Sequence, residues 1–181
     1  TQTRVAETCG GAGDSSSINS EEGVLYFETK SNFNNITRRL TLSDGTTNNR
    51  VILQYQSNGN DLGCFVVVGG SNQVSVGNIP INQENYSKIA VKYKENDFAI
   101  WINGVEVFTD SLGSTYATNI LNKFSFDDSV GSLPFYGNTK DLRVYSTDLS
   151  DEELIYLTGT LGEDYYDNYL EMSNNLNYNI Q

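Results

Sequence analysis

The hydrophobic positions of this chain fall in short runs that alternate with polar ones. Alternation marks a half-buried strand, because successive side chains of an extended chain point to opposite faces. Gly23 to Thr29 (GVLYFET), Arg39 to Leu42, Arg50 to Gln56 (RVILQYQ), Lys123 to Asp127 (KFSFD) and Asp141 to Tyr145 (DLRVY) are such runs. Ser87 to Lys94 sets Ile89, Val91 and Tyr93 on one face and Lys88, Ala90, Lys92 and Lys94 on the other. Leu62 to Val68 (LGCFVVV) is almost wholly apolar, which predicts a central strand or one buried on both faces. Phe98 to Ile102 and Val105 to Phe108 flank Asn103-Gly104. Asn-Gly between alternating runs predicts a tight hairpin, since a type I′ turn needs φ > 0 at both central residues.

Strands recur about every ten residues with little helix between them, which predicts an antiparallel sandwich or barrel. One helix is marked at its start. Ser150-Asp151-Glu152-Glu153 is a capping box, Leu149 and Leu154 occupy the staple positions, and Gly159 predicts the end. A second helix is predicted from near Glu163, where Tyr165, Tyr169, Met172 and Leu176 share one face. Residues 1–17 read as a linker or first-strand lead-in, 18–160 as the domain, and 161–181 as a helical, Asn-rich tail.

A chain of 181 residues is long enough for one domain with a sizeable core. Aromatics at 12% argue against disorder, while 22 Asn and only 19% charged residues describe a surface coated with amides and hydroxyls. A net charge of −12, with 11 scattered Lys and Arg, makes nucleic acid a poor partner. No apolar run approaches the roughly 20 residues of a membrane span, so no membrane insertion is expected. The chain opens Thr1-Gln2-Thr3 without a signal-peptide pattern, and reads as a piece of something longer or a processed product. It contains no His, which removes Ser-His-Asp and Cys-His catalysis and His-ligated zinc. Cys9 and Cys64 fit one disulfide or two free thiols, and the lack of a secretion signal favours free thiols.

The succession FAIWINGVEVFTD, SFDD and PFYGNTKDLRVYSTDLSDEELIYLT resembles the concanavalin A-like, laminin-G-like lectin sandwich found near the C-termini of bacteriophage tail-fibre proteins. Phe135, Gly137, Leu142, Val144, Tyr145, Leu149, Asp151, Glu153 and Leu154 fit that family's strand-to-helix closure. INSEEGVLYFE from Ile18, KIAVKYKENDFAIW from Lys88 and the terminal YLEMSNNLNYNIQ are also similar to phage members. The resemblance covers residues 18 to 160. It implies an all-β, two-sheet antiparallel jelly-roll sandwich with one or two short C-terminal helices. It further implies a non-catalytic recognition domain of a tail fibre, on the virion, that attaches to a host cell-surface glycan or other receptor. A homotrimer through the fibre is implied by the resemblance alone. The fold also hosts structural modules and enzymes. A fibre tip that docks or trimerises, and a polysaccharide depolymerase, are therefore the rival readings.

Enzymes of this fold carry their acids on one strand as Glu-x-Asp-x-x-Glu, and that string is absent. Glu22 and Glu28 bracket a strand without the middle acid, whereas a retaining glycosidase needs two carboxyls about 5–5.5 Å apart. No catalytic residue is assigned, and the chain reads as not an enzyme. Sugar binding needs an apolar platform with amides or charges around it. Alternation sets Trp101, the only Trp, opposite Ile100 and Ile102, so it faces outward as a stacking platform unless another part of the chain covers it. Arg143 and Tyr145, opposite Leu142 and Val144, share an outer face, and Tyr136 and Tyr116 lie in loop-like stretches. These five are the candidate glycan-binding residues. No cofactor is required, although Ca²⁺ is common in the wider family. No EF-hand string occurs, and Asp127 and Asp128 are the candidate metal ligands. Asn35-Ile36-Thr37 and Asn85-Tyr86-Ser87 match the N-glycosylation string, as chance allows in so Asn-rich a chain.

Overall fold

The computed structural model describes residues 10–32 and 35–159. The elements follow as β1 (Gly10–Ala12), β2 (Glu22–Ser31), β3 (Arg38–Ser43), β4 (Arg50–Tyr55), β5 (Asp61–Val68), β6 (Ser71–Pro80), β7 (Ser87–Lys94), β8 (Phe98–Ile102), β9 (Val105–Asp110), β10 (Lys123–Ser125), β11 (Gly137–Tyr145) and α1 (Asp151–Thr158). One sheet has the order β1-β10-β3-β4-β5-β6 and the other β11-β2-β7-β8-β9, with all pairings antiparallel. This is the all-β, two-sheet jelly-roll sandwich that the resemblance implies.

The period-two pattern builds the core. Leu40, Leu42, Val51, Leu53, Leu62, Cys64 and Val66 of one sheet meet Leu25, Phe27, Ile89, Val91, Phe98 and Ile100 of the other. Fully burying such a side chain contributes roughly 1.5–3 kcal/mol. The hairpin turns at Asn103-Gly104 with φ of 50° and 83°, as its type requires. The capping box at Ser150 is complete: Ser150 Oγ accepts from the Glu153 N–H, and Glu153 Oε2 accepts from the Ser150 N–H. Gly159 ends the helix with φ of −76°, in extended backbone, and its N–H reaches the Ile155 carbonyl. Leu149 and Leu154 pack in one cluster, as the staple requires.

Two strands add to the expected set. Gly10–Ala12, within the stretch read as a linker or first-strand lead-in, pairs with β10 as a short strand. Ser71–Pro80, to which no strand was assigned, forms β6 at a sheet edge. Its sequence lacks a clear pattern because an edge needs few inward anchors, and here Val74 and Ile79 are the buried ones. The second helix and the tail at 161–181 lie outside the described residues, as does Cys9. Cys64 is a free thiol, fully buried. Among the described residues no helix is long and apolar enough to cross a membrane.

Candidate functional site

The core-facing leucines and valines of β3 and β4 force their neighbours outward. Arg39, Thr41 and Ser43 alternate with Leu40 and Leu42, and Arg50, Ile52 and Gln54 with Val51 and Leu53. Cross-strand register arranges the outer face of the six-stranded sheet in rows: Ser43, Arg50 and Val67; then Thr41, Ile52 and Phe65; then Arg39, Gln54 and Gly63. The loop after β10 folds onto one side of this face. Thr41 Oγ1 donates to the Asp127 carbonyl at 2.6 Å, Arg50 Nη1 to the Asp128 carbonyl at 2.8 Å, and the Arg39 backbone N–H to the Leu133 carbonyl at 3.0 Å.

Arg39 and Arg50 remain half-exposed on this face. Arg39 Nε donates to Gln54 Oε1 at 2.8 Å, and Gln54 Nε2 donates to Gln56 Oε1 at 2.9 Å, so a side-chain relay orients the guanidinium. Burial, and then the adjacent Arg50 charge, pull Arg39 below the ordinary arginine pKa, while Asp128 opposes them. Among the described residues neither arginine is in an ion pair, and Arg50 Nε has no hydrogen-bond partner. Lys92, Lys94, Lys140 and Arg143 are paired with acids, whereas Lys30 and Arg38 lie over tyrosine rings and Lys88 and Lys123 donate to backbone carbonyls. Two neighbouring guanidiniums that repel one another and lie outside any ion pair among the described residues offer charged donors suited to an anion. The half-buried Phe65 ring beside Ile52 adds an apolar surface on the same face.

The five sequence candidates do not form one site. Trp101 does lie on the outer face of the five-stranded sheet, but α1 covers it: it is 5% exposed and clusters with Val24, Tyr26, Ala90 and Leu154. The stacking role is therefore corrected to a packing one. Tyr116 is 4% exposed, packed edge-on to Tyr93 at 6.4 Å, and is likewise a core residue rather than a loop platform. Arg143 and Trp101 share one face and one row, but Tyr26 and Ala90 stand between them. Arg143 is exposed and paired with Asp141 at 2.6 Å, which pushes its pKa up. Its guanidinium lies 5.7 Å from the Tyr26 ring, and Tyr145 is half-buried against the helix cluster. Tyr136 is 57% exposed, with the Arg38 guanidinium over its ring at 5.7 Å.

Asp127 and Asp128 organise their own loop. Asp127 Oδ1 accepts from the Ser129 N–H at 2.7 Å, and Asp128 Oδ1 from Ser132 and Val130. Among the described residues no three His, Cys, Asp or Glu side chains converge, and Asp127 and Asp128 each spend Oδ1 on backbone N–H groups of their own loop. Glu22 and Glu28 are engaged by Lys94 and Lys140. The residues that sequence reasoning missed are Arg39, Arg50, Gln54 and Phe65. Alternation alone marks the first three as outward.

A family model described as the concanavalin A-like lectin/glucanases superfamily matches residues 22–155. Curated protein sequences give no match. The fold is similar to that of the Ruminococcus gnavus IT-sialidase CBM40 bound to α2,6-sialyllactose, with a TM-score of 0.64 and 19% identity, covering 87% of this chain and 96% of that one. It is similar to botulinum neurotoxin type C, which depends on two ganglioside molecules to enter cells (TM-score 0.55, 15% identity), over 76% of this chain and 35% of that one. It is also similar to Trypanosoma rangeli sialidase (TM-score 0.57, 10% identity), over 77% of this chain and 24% of that one.

Proposed function

The chain belongs to the concanavalin A-like lectin/glucanases superfamily, and from that premise we propose that it is a non-catalytic glycan-recognition domain that reads an acidic sugar. The observation that carries the reading is the pair Arg39 and Arg50, side by side on the outer face of the six-stranded sheet and in no ion pair among the described residues. A sugar carboxylate placed between them accepts charge-assisted hydrogen bonds and relieves their mutual repulsion. Phe65 offers its ring to the C–H face of the pyranose. Neither step needs a cofactor. The sialyllactose and ganglioside ligands of the similar structures support the choice of an acidic sugar. The resemblance of the hairpin and the strand-to-helix closure to phage members supports placing the domain at the end of a virion tail fibre, where it binds a host surface glycan. A trimer of fibre chains would then present three such faces.

A glycan array with sialylated, uronate and neutral glycans tests this. The acidic glycans should be retained, and Arg39→Ala or Arg50→Ala should each weaken binding at least tenfold, since a hydrogen bond to a charged group contributes about 1.5–3 kcal/mol. Neutral-only binding, or variants that bind as the native chain does, would overturn the reading. Release of reducing ends from host polysaccharide would favour a depolymerase. A protein-contact role for the fibre tip draws support from Val105, Val107 and Leu112, apolar and exposed on and after the edge strand β9.

A further inference from the structure

The arginine face does not stop at Gln54. At the end of that row Gly63 is buried under its neighbours, where a Cβ would meet the Phe65 ring and Gln56 Nε2 at 3.1 Å, so Phe65 and Gln56 form the surface there. Asp61, one outward position further along β5, pairs with Pro80 of β6. Opposite Gly63 the β5–β6 register shifts, and Gly77 and Asn78 stand between the paired residues Val76 and Ile79. A Cβ at Gly77 would meet only Gln56 Nε2, at 3.7 Å, so the surface there is open. Beyond it lies a shallow cleft of about 780 Å³ between the β4–β5 turn and the β6–β7 connection. Asn58, Asn60, Pro80, Ile81, Asn82 and Glu84 line it.

The cleft is held in shape from beneath. Gln83, almost wholly buried, donates from Nε2 to the Gln56 carbonyl at 2.9 Å and the Asp61 carbonyl at 2.8 Å. The Ile81 N–H reaches the Asn60 carbonyl at 2.8 Å. The Asn60 side-chain amide makes no hydrogen bond within the described residues and is exposed. Amides beside a proline and an isoleucine match a neutral sugar, which presents hydroxyls at its rim and C–H groups on its face. From Arg39 to Gly63 is two strand spacings, about 10 Å, and the Asp61–Pro80 row is about 7 Å further. That path is longer than one sugar ring.

We propose, on the basis of the acidic-sugar reading above, that the ligand is an oligosaccharide whose terminal acidic residue sits on Arg39 and Arg50 while its neutral residues pass over Phe65 and Gln56 and beside Gly77 into the Asn60–Pro80 cleft. The domain therefore reads an acidic chain end together with what it is attached to. Calorimetry would compare N-acetylneuraminic acid with α2,6-sialyllactose, and glucuronic acid with a hyaluronan tetrasaccharide. The longer member of the series that binds should bind at least tenfold tighter than its monosaccharide. Gly77→Trp should abolish that gain and leave monosaccharide binding unchanged. Asn60→Ala, which removes an amide without internal partners, should reduce the gain at least threefold at an unchanged melting midpoint. Equal affinities for short and long ligands, or a full gain in both variants, overturn the extended site while leaving the arginine site standing. Failure of both acidic monosaccharides and both oligosaccharides to bind overturns the two readings together.

Discussion

Cys64 sits on β5 in the middle of the sandwich, and burial alone pushes its thiol up to about 12. The thiolate is the reactive form. Native protein at pH 8 should therefore leave the Cys64 peptide unlabelled by iodoacetamide, with labelling appearing only on unfolding. Rapid native labelling, read by mass spectrometry, would place Cys64 outside a closed core. At this scale the sequence settles direction but not cover. Alternation correctly turns Trp101 away from Ile100 and Ile102. It carries no sign that Leu154 will lie over the indole, because that contact joins residues far apart in the chain. Tyr116 misleads for the opposite reason: its Ser- and Thr-rich surroundings look like a surface loop, yet the ring turns in against Tyr93. Arg39 and Arg50 are legible as outward positions. What singles them out is that two guanidiniums outside any ion pair among the described residues stand close enough to repel one another, which only the folded arrangement reveals.

Among the elements, α1 is the most fully written in the sequence. Its cap, its staple and its final glycine are all local signals, and all appear in the structure. Ser150→Ala should cost about 0.5–2 kcal/mol, read as a lower melting midpoint. The helix also carries a pH dependence. Hydrogen bonds from the Ser150 backbone and side chain hold Glu153 below its usual 4.5, and the hydrogen bond from Lys94 holds Asp148, just before the helix, below its usual 3.8. A carboxylate with a depressed folded pKa stabilises fully above its unfolded value, and the contribution is lost as pH falls through the folded one. The melting midpoint should thus decline below about pH 4.5, and Glu153→Gln should flatten the upper part of that decline. β6 is the contrasting case. Polar, glycine-containing and ending in proline, it is held by pairing along β5 rather than by an apolar stripe, so nothing in its own residues announces it.

Over the whole molecule, the two sheets divide the work. The five-stranded sheet spends its outer face on α1 and on paired lysines, whereas the six-stranded sheet carries the neighbouring Arg39 and Arg50, which are in no ion pair among the described residues, on an otherwise acidic body. The topology has a further consequence. β2, the first long strand, lies between β7 and β11, and β11 is the last strand among the described residues. A ribosome adding about 5–20 residues per second finishes β2 many seconds before β11 exists. During that interval Leu25 and Phe27 belong to a strand with one edge unpaired, a surface suited to capture by a chaperone or by another nascent chain. A chain ending at Tyr136, before β11, should accordingly be recovered in the insoluble fraction unless a holdase is co-expressed, whereas a soluble, cooperatively melting product would mean that β2 and β7 close without their last neighbour. Translation of this domain is thus a race in which the strand that seals the sheet arrives last.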